Sequence, residues 1–157
     1  MYFQSHLLQR LASKNLKALA EQTGIARSTL VRLKEGENEG RIVRLDCQVA
    51  GKLMVSLNCQ FEQLFSYIHG DEDRTGACPT VELVGTLRFY SQLSQFLTNQ
   101  GKNLDNLDLL SKNLEIGWAT LRMYLEPGPL KILDARTIGR IAQKYHLTLF
   151  CFIKIAR

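Results

Sequence analysis

The sequence predicts an all-α protein built from two tandem five-helix domains, and three observations carry this prediction. Apolar residues recur mostly at steps of three and four along the 157 residues, which is the period of an α-helix. Glycine, proline and charged residues gather between positions 70 and 80, as in a linker. The second half then repeats the pattern of the first. We therefore predict domains at residues 1–69 and 81–157, joined by a linker at 70–80.

The composition predicts a folded chain with a basic bias. A hydrophobic fraction of 45% and only three prolines favour a packed core over disorder. The net charge of +5 permits binding to a polyanion without requiring it. By position, the net charge is +3 over residues 1–70, −3 over residues 71–85 and +5 over residues 86–157. Two basic halves thus flank an acidic joint.

Neither a metal site nor an enzyme is expected. The four cysteines include no CxxC pair, and the three histidines are not at ligand spacing from them. We find no Ser/His/Asp or Cys/His arrangement, no paired carboxylates and no glycine-rich phosphate loop. The sequence therefore predicts no enzyme activity and no cofactor.

A cytoplasmic protein with reduced thiols is expected, because no signal peptide and no apolar run of about 18 residues is present. No membrane partner is predicted. The first five residues, MYFQS, resemble the end of a protease-cleavage tag, so no prediction rests on them.

Apolar side chains at helical spacing predict two short helices at the start of the chain. The apolar positions are Leu7, Leu8 and Leu11 in the first helix and Leu16, Leu19 and Ala20 in the second. Either Ser13 or Asn15 would cap the second helix, because both side chains can accept a hydrogen bond from its first turn.

A sharp turn and a third helix follow. Gly24 can adopt the positive φ that such a turn needs, and Ile25 would fill the angle between the helices. The third helix is predicted over about residues 27–35, ended by Gly36. Its inward-facing residues would be Leu30 and Leu33. Two helices separated by so short a turn are typical of a helix-turn-helix, which is a DNA-binding element.

Two further helices complete the predicted first domain. After the polar loop EGENEG, we predict helices over 45–57 and 60–68, with Asp46 at the start of the first. The loop would be solvated, unless it points away from phosphates or disfavours binding out of register. Aromatic residues of the last helix, Phe61, Phe65 and Tyr67, are assigned to the core.

The second half matches the first at a fixed shift. Shifted by 91, residues 16–35 align with 107–126, and six of the twenty pairs are identical. After the following loop the shift becomes 88, so that Leu45 and Asp46 align with Leu133 and Asp134. We interpret this as an internal duplication. The segment VELVGTLRFYSQLSQFL would be the first helix of the second copy, although VELVGTLRF also fits a strand; FCFI is assigned to the core.

The residues LAEQTGIARSTLVRLKEG, followed by LDCQVAGKLMVSLNCQFEQLF, resemble the helix-turn-helix domain of the Cro and phage-repressor (Xre-type) family. The resemblance covers residues 5–68, and the second copy, 86–155, matches in pattern only. It implies a lambda-repressor-like domain of five helices whose third helix enters the major groove of double-stranded DNA. The implied function is transcription regulation, Cro/C1-type, with two domains in tandem acting as a pseudo-dimer on an imperfect repeat.

The resemblance also implies which residues contact DNA. Base edges would be read by Ala26, Arg27, Ser28, Thr29 and Arg32, and phosphates would be bound by Lys14, Asn15 and Lys17. From their charge and position, Lys34 and Arg41 are added as phosphate contacts. Many family members have Gln where this chain has Leu16, which puts the contact from that position in doubt.

The second copy has a weaker set of candidate DNA contacts in its helix GWATLRMYL, namely Trp118, Thr120 and Arg122. Glu115 occupies the position of Gly24, which makes the turn less conventional. Trp118 has three interpretations that the sequence leaves open: contact with a thymine methyl or the DNA backbone, contact with a protein, or packing in the core.

Two other functions stay open. The chain can be a protein-interaction module, antitoxin-like or an assembly adaptor, with secondary DNA binding, and self-association or a protein partner would then use the second domain. It can also be an accessory factor in recombination or phage excision.

Overall fold

The computed structural model describes residues 1–11, 15–39 and 41–157. We call the elements up to residue 80 the first half and the later ones the second half. The first half contains β1 (Tyr2–Ser5), α1 (Leu7–Arg10), α2 (Leu16–Thr23), α3 (Arg27–Glu39), β2 (Arg44–Asp46), α4 (Cys47–Leu57), α5 (Phe61–Leu64), β3 (Phe65–His69) and β4 (Glu72–Asp73).

The second half follows nearly the same order. It contains β5 (Arg88–Ser91), α6 (Leu93–Asn99), α7 (Leu107–Leu114), α8 (Trp118–Leu125), β6 (Pro129–Leu130), β7 (Ile132–Asp134), α9 (Ala135–Tyr145), a 3₁₀ helix (Leu149–Cys151) and β8 (Ile153–Ala156).

The all-α prediction is wrong, because the described part of the protein is about 49% helix and 19% strand and contains three antiparallel sheets. The helix predicted over 60–68 is helical only from Phe61 to Leu64 and then becomes β3. In β3, Phe65 and Tyr67 are buried while the residues after each are half-buried, which is the period of a strand. The stretch around VELVGTLRF contributes the strand Arg88–Ser91, followed directly by α6.

Two three-stranded sheets have equivalent places in the two halves. In the first, β3 lies between β1 and β4, with Phe3 opposite Tyr67. In the second, β5 lies between β6 and β8, with Phe89 opposite Ile155. On its other edge, β1 forms a single β-bridge from Phe3 to Ile42. In the second half, β6 pairs with β5 in the same way.

The strand β1 lies within the first five residues, which resemble the end of a protease-cleavage tag. Phe3 is fully buried, and its ring centroid lies 5.5 Å from that of Tyr67. The Ser5 hydroxyl oxygen accepts a hydrogen bond from the Leu7 N–H, over 3.2 Å. Ser91 makes the same bond to Leu93 in the second half, over 3.2 Å. The start of the chain therefore has the same local structure as the beginning of the second half, at β5 and α6.

A two-stranded sheet joins the halves, in which β2 pairs with β7 and Leu45 lies opposite Leu133. An α-helix follows each strand, and an aspartate caps it in both cases: the Asp46 carboxylate accepts from Val49 N–H and the Asp134 carboxylate from Thr137 N–H, each over 2.9 Å. The favourable role expected of Asp46 at a helix start is confirmed.

The core is shared between the halves. The Phe61 ring centroid lies 5.9 Å from that of Phe89 and 5.3 Å from that of Phe150. The core assignments of Phe61, Phe65 and Tyr67 are confirmed, since each is at most 1% exposed. Of FCFI, Phe152 and Ile153 are buried whereas Cys151 is exposed.

The stretch 70–80 lies against the rest of the protein. It contains the short strand β4, and the Thr75 hydroxyl oxygen accepts from Tyr67 N–H over 2.7 Å. At Gly76, an added Cβ would lie 2.1 Å from the Thr148 hydroxyl oxygen, so the backbone approaches the second half closely there.

Candidate nucleic-acid interface

The helices α2 and α3, which we call the first helix pair, meet through a tight turn. The Asn15 side chain caps α2 by accepting from Ala18 N–H over 2.7 Å, which confirms one of the two predicted caps. Gly24 ends α2 with φ of +70°, so its predicted role in the turn is confirmed. Ile25 follows and is 6% exposed, which places its side chain between the helices as expected.

One side of α3 is fixed in the core and the other carries the candidate DNA contacts. Leu30 and Leu33 are buried, as predicted. Of the predicted base-reading positions, Ala26, Arg27, Ser28 and Arg32 are exposed and Thr29 is half-buried. The helix runs to Glu39 instead of ending at Gly36, so that prediction is wrong. A glycine inside a helix is tolerated at a cost of about 1 kcal/mol.

Exposed cations without local partners lie on this pair. Arg27, Arg32 and Lys17 form no ion pair with any residue in the described part of the chain. Arginine can donate two parallel hydrogen bonds to guanine O6 and N7, and lysine supplies a point charge for phosphate. The unpaired guanidinium groups are therefore available to a ligand.

The remaining predicted phosphate contacts surround the pair. Asn15 is exposed, although its side-chain oxygen is engaged in the helix cap, and Lys34 is half-buried. Arg41 is exposed and its guanidinium carbon lies 5.6 Å from the centre of the Tyr2 ring. Lys14, the other predicted phosphate contact, lies outside the residues that the structure describes.

The helices α7 and α8, the second helix pair, repeat this local geometry. Asn106 caps α7 by accepting from Leu109 N–H over 3.1 Å, as Asn15 caps α2. Glu115 occupies the position of Gly24 and takes the same left-handed conformation, with φ of +54°. The Arg140 guanidinium donates to the Glu115 carbonyl oxygen. The turn thus forms without a glycine. The Glu115 carbonyl oxygen at the end of α7, which has no partner within the helix, accepts its hydrogen bond from α9.

The exposed surface of the second helix pair differs from that of the first. Trp118 is 47% exposed, which excludes its interpretation as a core residue. Arg122 stacks over Trp118, with 5.3 Å between guanidinium carbon and ring centre, and forms an ion pair with Glu126. Thr120 is half-buried. Two of the three predicted DNA contacts of this helix therefore contact each other.

Acidic residues occupy the places in the second helix pair where phosphate contacts were predicted in the first. At the shift of 91, Lys14 aligns with Asp105 and Lys17 with Asp108. Asp105 and Asp108 line the same surface concavity as Trp118. This charge reversal is visible in the aligned sequences themselves.

The thiols give no reactive site in the core. Burial, together with a smaller effect of the Asp46 carboxylate, raises the pKa of the Cys47 thiol from 9.0 to about 12. The described residues contain no group of three or more His, Cys, Asp or Glu side chains placed to hold a metal ion. Within the same residues, no helix has both the length and the apolar character needed to cross a membrane.

The short capped helix, the left-handed turn and the exposed arginines of the next helix give the first helix pair the geometry of a helix-turn-helix. Comparison with known families agrees, since residues 6–70 match the family model described as the Cro/C1-type HTH DNA-binding domain. No curated protein and no solved structure matches the chain. The matched segment contains the first helix pair and ends before the second half begins.

Proposed function

We propose that the protein binds double-stranded DNA sequence-specifically and regulates transcription, with α3 in the major groove. The observation that carries the proposal is that Arg27, Ser28 and Arg32 are exposed on α3, with neither arginine in an ion pair with a described residue, within a segment that matches a DNA-binding family. Arg27, Ser28 and Arg32 would hydrogen-bond to base edges, with Ala26 and Thr29 beside them. The candidate phosphate contacts are Lys14, Asn15, Lys17, Lys34 and Arg41.

The proposal includes a tandem duplication that forms a pseudo-dimer. Both ends of α2 and α7 are related by a shift of 91, and both ends of α4 and α9 by a shift of 88. The same shift of 88 relates Leu45 to Leu133, which lie opposite each other in the sheet that joins the halves. Pairing of equivalent residues is expected on a pseudo-two-fold axis. The domain limits 1–69 and 81–157 remain part of the proposal.

Because the two helix pairs differ in their exposed side chains, the DNA target would be asymmetric. Dimeric members of the class present two equivalent recognition helices to two half-sites. Here the second helix carries Trp118 and Met123 where the first has Arg27 and Arg32. Selection on random duplex DNA should enrich one half-site and not a palindrome.

The test of the proposal is substitution on α3. Arg27→Ala and Arg32→Ala should each weaken binding to the selected site by about 1–3 kcal/mol and relax the preference at one base pair. Titrations of the parent and variants on the selected duplex and on its single-base variants measure both effects. Arg136→Ala, an exposed arginine on α9, is the matched control and should bind as the parent does. Unchanged affinity and preference in both α3 variants would refute base reading by this helix.

A protein-interaction module is the second candidate function, favoured by exposed apolar side chains on the second helix pair. The dependence of DNA affinity on salt concentration distinguishes a DNA-binding protein from a protein-interaction module. With several phosphate contacts, log K falls linearly with log salt, at a slope of about −0.9 per phosphate. A module that only docks protein would show no such slope with duplex DNA.

A further inference from the structure

The segments that align between the two halves differ in net charge, although α3 continues beyond its aligned part with Glu37 and Glu39. Residues 14–35 contain five Lys/Arg and two Asp/Glu, a net +3, whereas the aligned residues 105–126 contain two Lys/Arg and four Asp/Glu, a net −2. The half that contains them is nevertheless basic, at +5 over residues 86–157. The negative charge is therefore concentrated in residues 105–126, at Asp105 and Asp108 around the start of α7, at Glu115 in the turn and at Glu126 after α8.

Two acids of this segment, Asp105 and Asp108, are not neutralised by any cation of the described residues. The Arg122 cation is paired with Glu126, and no residue in the described part of the chain forms an ion pair with Asp105 or Asp108. Both aspartates are exposed beside Trp118. The uncompensated charge next to the tryptophan is thus negative.

Apolar side chains are exposed on the same pair. Trp118 is 47% exposed, Leu109 55% and Met123 59%. They account for three of the six large hydrophobic side chains that are exposed among the described residues. Trp118 and Met123 replace the two arginines proposed to read bases, so the positions are the same and the chemistry is different.

We propose that the second helix pair docks a partner protein through a segment with an apolar side chain flanked by Lys or Arg, and does not contact DNA. Trp118 supplies the aromatic anchor typical of binding hot spots, and Met123 an adaptable apolar contact. Asp105 and Asp108 would attract the basic flanks. This goes beyond the proposed DNA binding, which rests on the first helix pair and can fail or hold independently.

Charge argues against the two other occupants. DNA would bring phosphates against Asp105 and Asp108, which repel them. A second copy of the chain in a symmetric contact would bring Asp105 and Asp108 against the same two aspartates. A basic segment with an apolar side chain is the occupant that complements both the exposed Trp118 and the two aspartates beside it.

The test is selection of a random 12-residue peptide display library on the full chain, with the Trp118→Ala/Met123→Ala variant as counter-target. The peptides enriched on the parent should place an aromatic or aliphatic residue among Lys and Arg. In titrations with these peptides made synthetically, Asp105→Asn/Asp108→Asn should weaken binding at least tenfold. The matched control, Glu62→Gln/Asp71→Asn, removes two exposed acids elsewhere and should bind as the parent does.

Trp118 is the only tryptophan and reports on its own surface. Its emission should shift to shorter wavelength with the selected peptide, while the selected DNA duplex should leave its quenching by acrylamide unchanged. Four results overturn the proposal: no enrichment over the counter-target, enrichment of acidic peptides, protection of Trp118 by DNA, or self-association that Trp118→Ala/Met123→Ala abolishes in sedimentation. Titration of the Arg27→Ala variant with DNA tests the proposed function separately.

Discussion

Gly24 and Glu115 occupy the same left-handed position at the ends of α2 and α7. A left-handed backbone costs a non-glycine residue roughly 1–2 kcal/mol, and glycine little. Sequence reasoning assigned Gly24 correctly, because glycine signals such a conformation. The sequence could not show that Glu115 adopts the left-handed conformation, because the surrounding helices and the hydrogen bond from Arg140 impose it.

Substitution at the two turns should therefore have opposite effects on stability. Gly24→Ala should lower the free energy of unfolding by about 1 kcal/mol, because an added Cβ meets no atom within 4 Å and only the backbone is strained. Glu115→Gly should raise the free energy of unfolding by a similar amount, about 1 kcal/mol. Urea denaturation measures both. Glu115→Ala keeps the Cβ and should not stabilise; if it stabilises as glycine does, the side chain and not the backbone is responsible.

Cys47 should make stability fall at alkaline pH. Its pKa is raised from 9.0 to about 12 in the folded protein, so the unfolded chain loses the proton first. The contribution is fully present below pH 9 and is lost as the pH rises from about 9 toward 12, at about 1.4 kcal/mol per pH unit. Urea denaturation between pH 8 and about 10.5 should show a shallower decline in Cys47→Ala than in the parent.

Cys151 provides the control for this slope, because it is exposed. Cys151→Ala should keep the pH dependence of the parent. Parallel curves for the parent and Cys47→Ala would contradict the assignment of the slope to Cys47, even if the substitution lowers stability at every pH through the cavity that it leaves.

Among the elements, the α-helices from Leu16 to Leu57 were predictable and the strands were not. A helix shows its period within its own residues, as α2 and α4 do. The strands are two to five residues long, too short for a clear period, and their partners lie far away in the chain: β1 pairs with β3 more than 60 residues later. A cue existed in YFQSHL and RFYSQL, which resemble each other and both form a strand and helix start.

The caps of α4 and α9 are a pair of equivalent elements that can be compared directly. Asp46→Ala and Asp134→Ala each remove a carboxylate that accepts from a backbone N–H over 2.9 Å. Each should lower the free energy of unfolding by roughly 0.5–2 kcal/mol, measured by urea denaturation. Asp71→Ala, which changes an exposed acid in a turn, should have little effect. If Asp46→Ala or Asp134→Ala lowers the free energy of unfolding no more than Asp71→Ala does, water replaces the lost hydrogen bond.

For the molecule as a whole, the candidate DNA contacts of the first half were predictable because they follow a local pattern of turn and helix. The packing of the two halves against each other was not predictable, because it depends on contacts such as that between Phe61 and Phe89, whose ring centroids are 5.9 Å apart. The repeat predicted two similar units. Only the three-dimensional structure shows that they share a sheet and a core.

A shared core predicts that both halves unfold together. Leu30 lies fully buried in α3 and Leu121 at the aligned position of α8. Each change to alanine should lower the free energy of unfolding by roughly 2–5 kcal/mol. Because the single tryptophan, Trp118, lies in the second half, its emission tests the coupling. Leu30→Ala should shift the unfolding transition seen by Trp118 as far as that seen by circular dichroism.

Leu121→Ala serves as the matched change and should shift both signals in the same way. If the Trp118 transition of Leu30→Ala stays at the parent's midpoint while circular dichroism shows an earlier step, the halves unfold independently and the β2–β7 sheet does not couple them.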